Sequence, residues 1–377
     1  MKHALLLLGF LSFSQVVVAG PRIDLRELLP ENNNACPTLS PIPFRAVVLN
    51  EGLSCADTTG VRNIMSKLGA WMPPRATKPR LALVLTAEDD NAYYSGYALN
   101  VPLRLKGSLG AGRSARYFPN DISRGVVAHE YGHAMLNSAL ASRNAEFREE
   151  LALMTRLGEH MAIQQVVQLK YLREYRMLEQ SFTRKYGPKS KWTAEQAREF
   201  EATVVRLSKK YEPQAQLNDK LLQEAGSKVS EHTNKHFSIL SSYHEFFADL
   251  VAVLDGQDWA LTGKIISILV NDRAAGLPRD FTNAGNAFEN VARVESHELL
   301  GPARYALYQR LKSKRCLRPD PKLLIPAVID AIHEQSRTAW GSSEVSTVAG
   351  RIAFNRAFVN SIFWRLDRLG AGLCRAR

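Results

Sequence analysis

The chain has 377 residues, 45% of them hydrophobic and 23% charged, with 49 Lys and Arg against 37 Asp and Glu. That composition excludes an intrinsically disordered, collagen-like or disulfide-dense miniature protein, and the length allows two domains or one large one with an ample core. The net charge of +12 makes nucleic acid and anionic membrane surfaces classes to weigh, but charge speaks to encounter and solubility rather than to fold.

In chain order, Met1-Lys2-His3 is a short basic start, followed by an apolar run from Ala4 to Phe13 and the small residues of Val17-Val18-Ala19-Gly20. This is the pattern of a secretory signal peptide, residues 1–19, cut after Ala19. The protein is therefore expected to be exported, either periplasmic or secreted. No Cys follows the run, so a lipoprotein is not expected, and later apolar stretches are too short for a transmembrane segment. Export changes how Cys36, Cys55, Cys316 and Cys374 read, since an even count in an oxidising compartment implies disulfides. Four cysteines allow three pairings. Cys36–Cys55 with Cys316–Cys374 is preferred because each pair would staple one end of the chain.

Three zones follow, at 20–141, 142–226 and 227–377. In the first, Arg45 to Leu49, Leu81 to Leu85 and Tyr97 to Leu105 are apolar runs of strand length bounded by turn residues. They predict a small N-terminal sheet. From Asp121 onward the pattern is helical, with Asn120 or Asp121 as the N-cap. The second zone reads as a long helical hairpin. Tyr171, Tyr175, Leu178 and Phe182 recur at helical spacing in one arm, and Phe200, Val204, Leu207 and Tyr211 in the other. Tyr186-Gly187-Pro188 breaks the arms, and Thr193 with Gln196 forms a capping box. Arg184, Lys185, Lys189 and Lys191 make a basic tip, read as part of a solvated hairpin that turns one stripe inward. The fold class is α+β, mainly helical.

His129-Glu130-Tyr131-Gly132-His133 is an H-E-x-x-H motif within the helix that starts near Asp121. Histidines four apart share one helical face, so both imidazoles reach one metal ion, and Glu130 stands beside them as a base. The same stripe carries Ile122, Val126, Leu136 and Leu140, so it faces inward. Buried polar groups there are costly unless ligation satisfies them.

A catalytic zinc site needs a third protein ligand. Glu149 and Glu150 fail if the helix runs on, because Glu149 would then lie about 24 Å along the axis from His133. The better candidate is Glu245 in Ser241-Ser242-Tyr243-His244-Glu245-Phe246-Phe247-Ala248-Asp249, a helical run ending at Gly256. Ser241, Ala248 and Ala252 on that face are small and permit close approach to the motif helix. Asp249, one turn on, would accept a hydrogen bond from the far nitrogen of a ligand histidine. His244 points about 100° away from Glu245 and is left out.

His129-Glu130-x-x-His133 followed by Glu245-x-x-x-Asp249 resembles the gluzincin branch of zinc metallopeptidases, and Glu245-Phe246-Phe247-Ala248 is similar to the corresponding helix of the anthrax lethal factor-like group. The resemblance covers two short segments. It implies a zincin-like catalytic domain binding one Zn2+ through His129, His133 and Glu245, with Glu130 as general base and Asp249 behind the ligands. The separation of 112 residues (245 minus 133) exceeds that of compact members, and a hairpin inserted between the two zinc-binding helices accounts for it.

The resemblance also implies a downstream Tyr or His that steadies the oxyanion, for which His297 comes first and Tyr305 or Tyr243 next. It further implies an edge strand that takes up an extended substrate, for which Tyr97 to Leu105 is the candidate because Pro102 suits an edge. The expected function is an exported zinc-dependent metallopeptidase with a protein or peptide substrate. The alternatives are a non-catalytic zinc-binding envelope protein on the same scaffold and a zinc hydrolase of non-peptide amides. The basic residues are dispersed and no aromatic-basic module stands out, so no nucleic-acid partner is expected. The oligomeric state is not legible.

Overall fold

A computed structural model of the chain describes residues 25–29, 34–36, 44–50, 52–79, 81–89, 91–105, 120–233, 237–270, 272–288, 295–337 and 345–374. The expected signal peptide, residues 1–19, lies outside them.

Strands β1 (Phe44–Leu49), β2 (Leu81–Asp89) and β4 (Ala98–Leu105) run parallel, and the two-residue β3 (Tyr93–Tyr94) joins β4 antiparallel, in the order β1-β2-β4-β3. Helix α1 (Thr59–Gly69) connects β1 to β2. It falls between the first two predicted strands, where no helix is expected. Its buried Val61, Ile64, Met65 and Leu68 nevertheless carry a helical period. The strands read as unbroken apolar runs because both faces of the sheet are covered. Val47, Leu83, Leu85 and Leu99 enter the main core, whereas Val48, Ala82, Val84 and Ala98 face a second cluster.

The expected edge strand is not at the edge. β4 lies between β2 and β3, so among the described residues β3 forms that edge. β3 pairs only with Leu99 and Asn100 and stops short of Pro102, so a residue that cannot donate is tolerated there.

The motif helix α2 (Asn120–Ala141) also ends sooner than expected. Asn144 accepts a hydrogen bond from the Glu146 amide at 2.9 Å and opens a new helix, α3 (Ala145–Tyr186). An N-capping side chain breaks the chain here without Gly or Pro. Helix α3 turns at Gly187 and returns as α4 (Ala194–Thr233), forming the hairpin. Its root belongs to the core, since Ala162 and Val166 cover the second face of the sheet. Gly158 permits this: a Cβ there would lie 2.0 Å from the Ser95 carbonyl oxygen. Farther out the arms hold each other through aromatic pairs, Tyr171 with Tyr211, Tyr175 with Phe200, and Phe182 with Trp192 and Phe200.

Helix α5 (Phe237–Gly256) runs through the centre of the molecule, with Phe246, Phe247, Leu250 and Val251 fully buried. Around it lie α6 (Leu261–Leu269), α7 (Gly301–Ser313), α8 (Pro321–Gln335) and α9 (Val348–Leu369). Tyr243 and Phe246 meet Phe358 of α9. The disulfides are Cys36–Cys55 and Cys316–Cys374, with Cα separations of 5.6 and 5.4 Å. The chain is thus mainly helical with a small four-stranded sheet, and none of the described helices is long and apolar enough to cross a membrane.

Candidate metal centre

Helices α2 and α5 lie against each other, and the smallest residues decide how closely. A Cβ on Gly132 would come within 2.8 Å of the Ala248 Cα, so the glycine inside the motif and the alanine after Phe247 let the two backbones nearly touch. This approach aligns His129, Glu130 and His133 of α2 with His244 and Glu245 of α5 along a cavity of about 480 Å³. His129, Glu130 and His133 each present a ligand atom within 4.8 Å of the others, and this group could hold a metal ion.

Glu245 completes a tighter triangle. The Nε2 atoms of His129 and His133 are 3.1 Å apart, with Glu245 Oε2 3.6 Å from the first and Oε1 3.6 Å from the second. Ligands about 2.1 Å from a tetrahedral ion stand roughly 3.4 Å from one another, so this donor set fits such an ion. Glu245 Oε2 is buried without a hydrogen-bond partner. Arg279 Nη2 lies 3.2 Å from it, and a carboxylate that also faces two imidazole nitrogens is an arrangement that a metal cation satisfies.

Behind the triangle, Asp249 Oδ1 lies 3.1 Å from His129 Nδ1. Its other partners are two arginines that no sequence motif marks. Arg279 Nε donates to both carboxylate oxygens at 3.2 and 3.0 Å and Nη2 donates to Oδ1, while Arg304 Nη2 lies 2.7 Å from Oδ2. Burial pushes the Asp249 carboxyl up, but Arg279 and Arg304 outweigh it and hold the group well below the usual carboxylate range. Burial, together with His129, His244 and Arg279, pushes the His133 imidazole well down, leaving it neutral.

Glu130 stands beside the histidines and accepts a hydrogen bond from the Tyr94 amide of β3 at 2.9 Å. Burial raises its carboxyl to about 6. His297 lines the cavity, half exposed, with Nε2 3.4 Å from Glu245 Oε1 and Nδ1 bonded to Glu295. Of the other oxyanion candidates, Tyr243 is buried in the aromatic core and Tyr305 does not line the cavity.

Two residues set aside on helical geometry do line it. Glu150 reaches the cavity because α2 stops at Ala141, and the next helix brings this residue back to the site. His244 lies over His133, with ring centroids 5.9 Å apart and planes 28° from parallel. Burial lowers its imidazole to about 4, so it stays neutral. A helical wheel places His244 off the ligand face, yet a long ring on a neighbouring face still borders a cavity between two helices. Comparison of the chain with protein-family models, curated proteins and solved structures finds no match.

Proposed function

We propose that the protein is a zinc-dependent metallopeptidase of the gluzincin type on a zincin-like scaffold. The observation that carries this reading is the triangle of His129 Nε2, His133 Nε2 and the Glu245 carboxylate, with a second carboxylate, Glu130, beside it. A purely structural site would leave Glu130 buried with no task. Zinc would be held by His129, His133 and Glu245, and when bound it supplies Lewis acidity toward a peptide carbonyl and makes water a better nucleophile near neutral pH.

This chain's own groups do the rest. The Tyr94 amide holds one Glu130 oxygen, leaving the other to take a proton from the attacking water and return it to the leaving amine. Asp249 fixes the tautomer of His129, and the two arginines behind Asp249 keep it ionised. His297 is positioned to donate toward a developing oxyanion at the cavity mouth. β3, the edge of the sheet among the described residues, would take up an extended peptide beside the site. The two disulfides agree with folding in an oxidising compartment.

Metal analysis combined with digestion of a peptide library tests the reading. Wild type is expected to carry one zinc per chain and to cleave peptides. Glu130→Gln should keep the metal and lose about 10²- to 10⁴-fold in kcat. A wild type that binds zinc and cleaves nothing overturns the peptidase assignment, and Glu245→Ala with unchanged zinc affinity overturns the third ligand.

A further inference from the structure

The proposed peptidase leaves one feature of the molecule unused, the far end of the α3–α4 arm. We propose that this tip docks on an anionic membrane surface.

Residues 184–194 contain Arg184, Lys185, Lys189 and Lys191 and no acidic residue. The adjoining segments are nearly balanced: 170–183 has three cations and two acids, and 195–212 has four of each. A third of the chain's net +12, four charges, therefore sits in eleven residues at the end of the arm. All four cations are exposed, and among the described residues none bonds a carboxylate. Lower on the arm the charges are paired. Lys210 reaches Glu174 at 2.6 Å, and Tyr211 donates to the same carboxylate at 2.7 Å.

The tip is also built to hold its shape. Phe182 and Phe200 are buried there, with Trp192 packed between them, and the Trp192 indole donates to the Gly187 carbonyl at 2.8 Å. Lys185 lies over the Tyr186 ring at 4.5 Å, and Lys189 lies over Phe200 at 5.2 Å. A turn between two helices needs none of this. A rigid knob with four outward cations suits a broad negative surface, which engages all of them together without directional contacts. Residues 184–194 line neither the cavity at His129 nor the one at Asp330. Attraction to anionic headgroups increases partitioning about fivefold per cation near the surface.

Helix α3 ties this tip to the cavity. Met154 lines the cavity and Tyr186 ends the helix, so an unbroken helix of 32 residues, about 48 Å, separates them. Docking at the tip would hold the cavity at that distance along the arm from the contact point. The proposal does not depend on the metal reading.

The test is co-sedimentation of the full chain with vesicles at 0.1 M salt. The protein should bind mixed phosphatidylglycerol–phosphatidylcholine vesicles and not phosphatidylcholine alone, and 0.5 M salt should release it. Arg184→Gln combined with Lys191→Gln removes two cations that take no part in the aromatic knob, and should lower partitioning about 25-fold. Arg206→Gln with Lys209→Gln removes the same charge from the flank of the arm and should cost less than about threefold, because those groups lie farther from the surface. Equal losses from the two pairs would overturn the assignment to the tip. Failure of wild type to discriminate between the vesicles, or tighter binding to soluble polyphosphate than to either, would overturn the membrane.

Discussion

Helices α2 and α5 and helices α3 and α4 are both long pairs lying side by side, and they are held by opposite means. The first pair brings two backbones together at Gly132 and Ala248 and seals charged groups between them. The second stands apart on aromatic rings and carries its charges outside. Sealing makes residues mutually dependent, because Asp249 offsets the burial of Arg279 and Arg304 and they offset its burial. Exposure makes them independent, since water serves any group that loses its partner. The site lies in the dependent pair, and the proposed docking surface lies on the independent one.

The largest break in this contrast should come from Asp249→Ala. It leaves Arg279 and Arg304 buried without their shared carboxylate and is expected to destabilise the chain by about 3–5 kcal/mol. Urea unfolding measures this directly, and a loss below about 1 kcal/mol would mean that water reaches the arginines. Gly132→Val comes next. Its Cβ meets backbone rather than a movable side chain, so the helices must separate, costing up to about 3 kcal/mol and weakening metal affinity. Unchanged affinity would show that the close approach does not set the ligand geometry.

A smaller effect is expected at Asp255, which ties the end of α5 to Arg124 of α2 and Lys67 of α1 at 2.7 and 2.6 Å. Burial raises this carboxyl, and hydrogen bonds from Arg124 and Lys67 outweigh it, so the group stays below its ordinary 3.8. The folded value being the lower one, its contribution is complete above about pH 4 and fades as pH falls through the folded value. Asp255→Asn should cost about 2 kcal/mol at pH 7, and the gap from wild type should shrink below pH 4. A gap that stays constant with pH would remove the charge from the explanation. The smallest effect belongs to Lys210→Ala on the arm, where the pair with Glu174 is exposed and worth less than about 1 kcal/mol.

How much was readable beforehand varies with the range of the interaction. His129, Glu130 and His133 were legible because four-residue spacing on a helix is a local property. Glu245 and Asp249 followed from the same period and from the small residues beside them. The break at Ser142–Asn144 contains no Gly or Pro and shows only as an asparagine cap, and Glu150 reaches the cavity because of it. Helix α1 is signalled only by Val61, Ile64, Met65 and Leu68, a short helical period between two stronger strand runs. Arg279 and Arg304 carried no signal at all. Nothing in their flanking residues distinguishes a guanidinium that will be buried against a carboxylate 30 or 55 positions away (279 and 304 minus 249) from one that will face water.

Sequence alone determined the helical periods, the motif, the strand runs and the concentration of charge at the hairpin turn, since each depends on residues within a few turns of one another. Only the tertiary structure decided that β3 and not β4 forms the edge, that the hairpin root covers a face of the sheet, and that two distant arginines share Asp249. Those outcomes depend on which apolar faces meet and what they enclose. Burial then converts an ordinary Arg or Asp into a group that must be paired, and that pressure does not exist until the chain has closed around it.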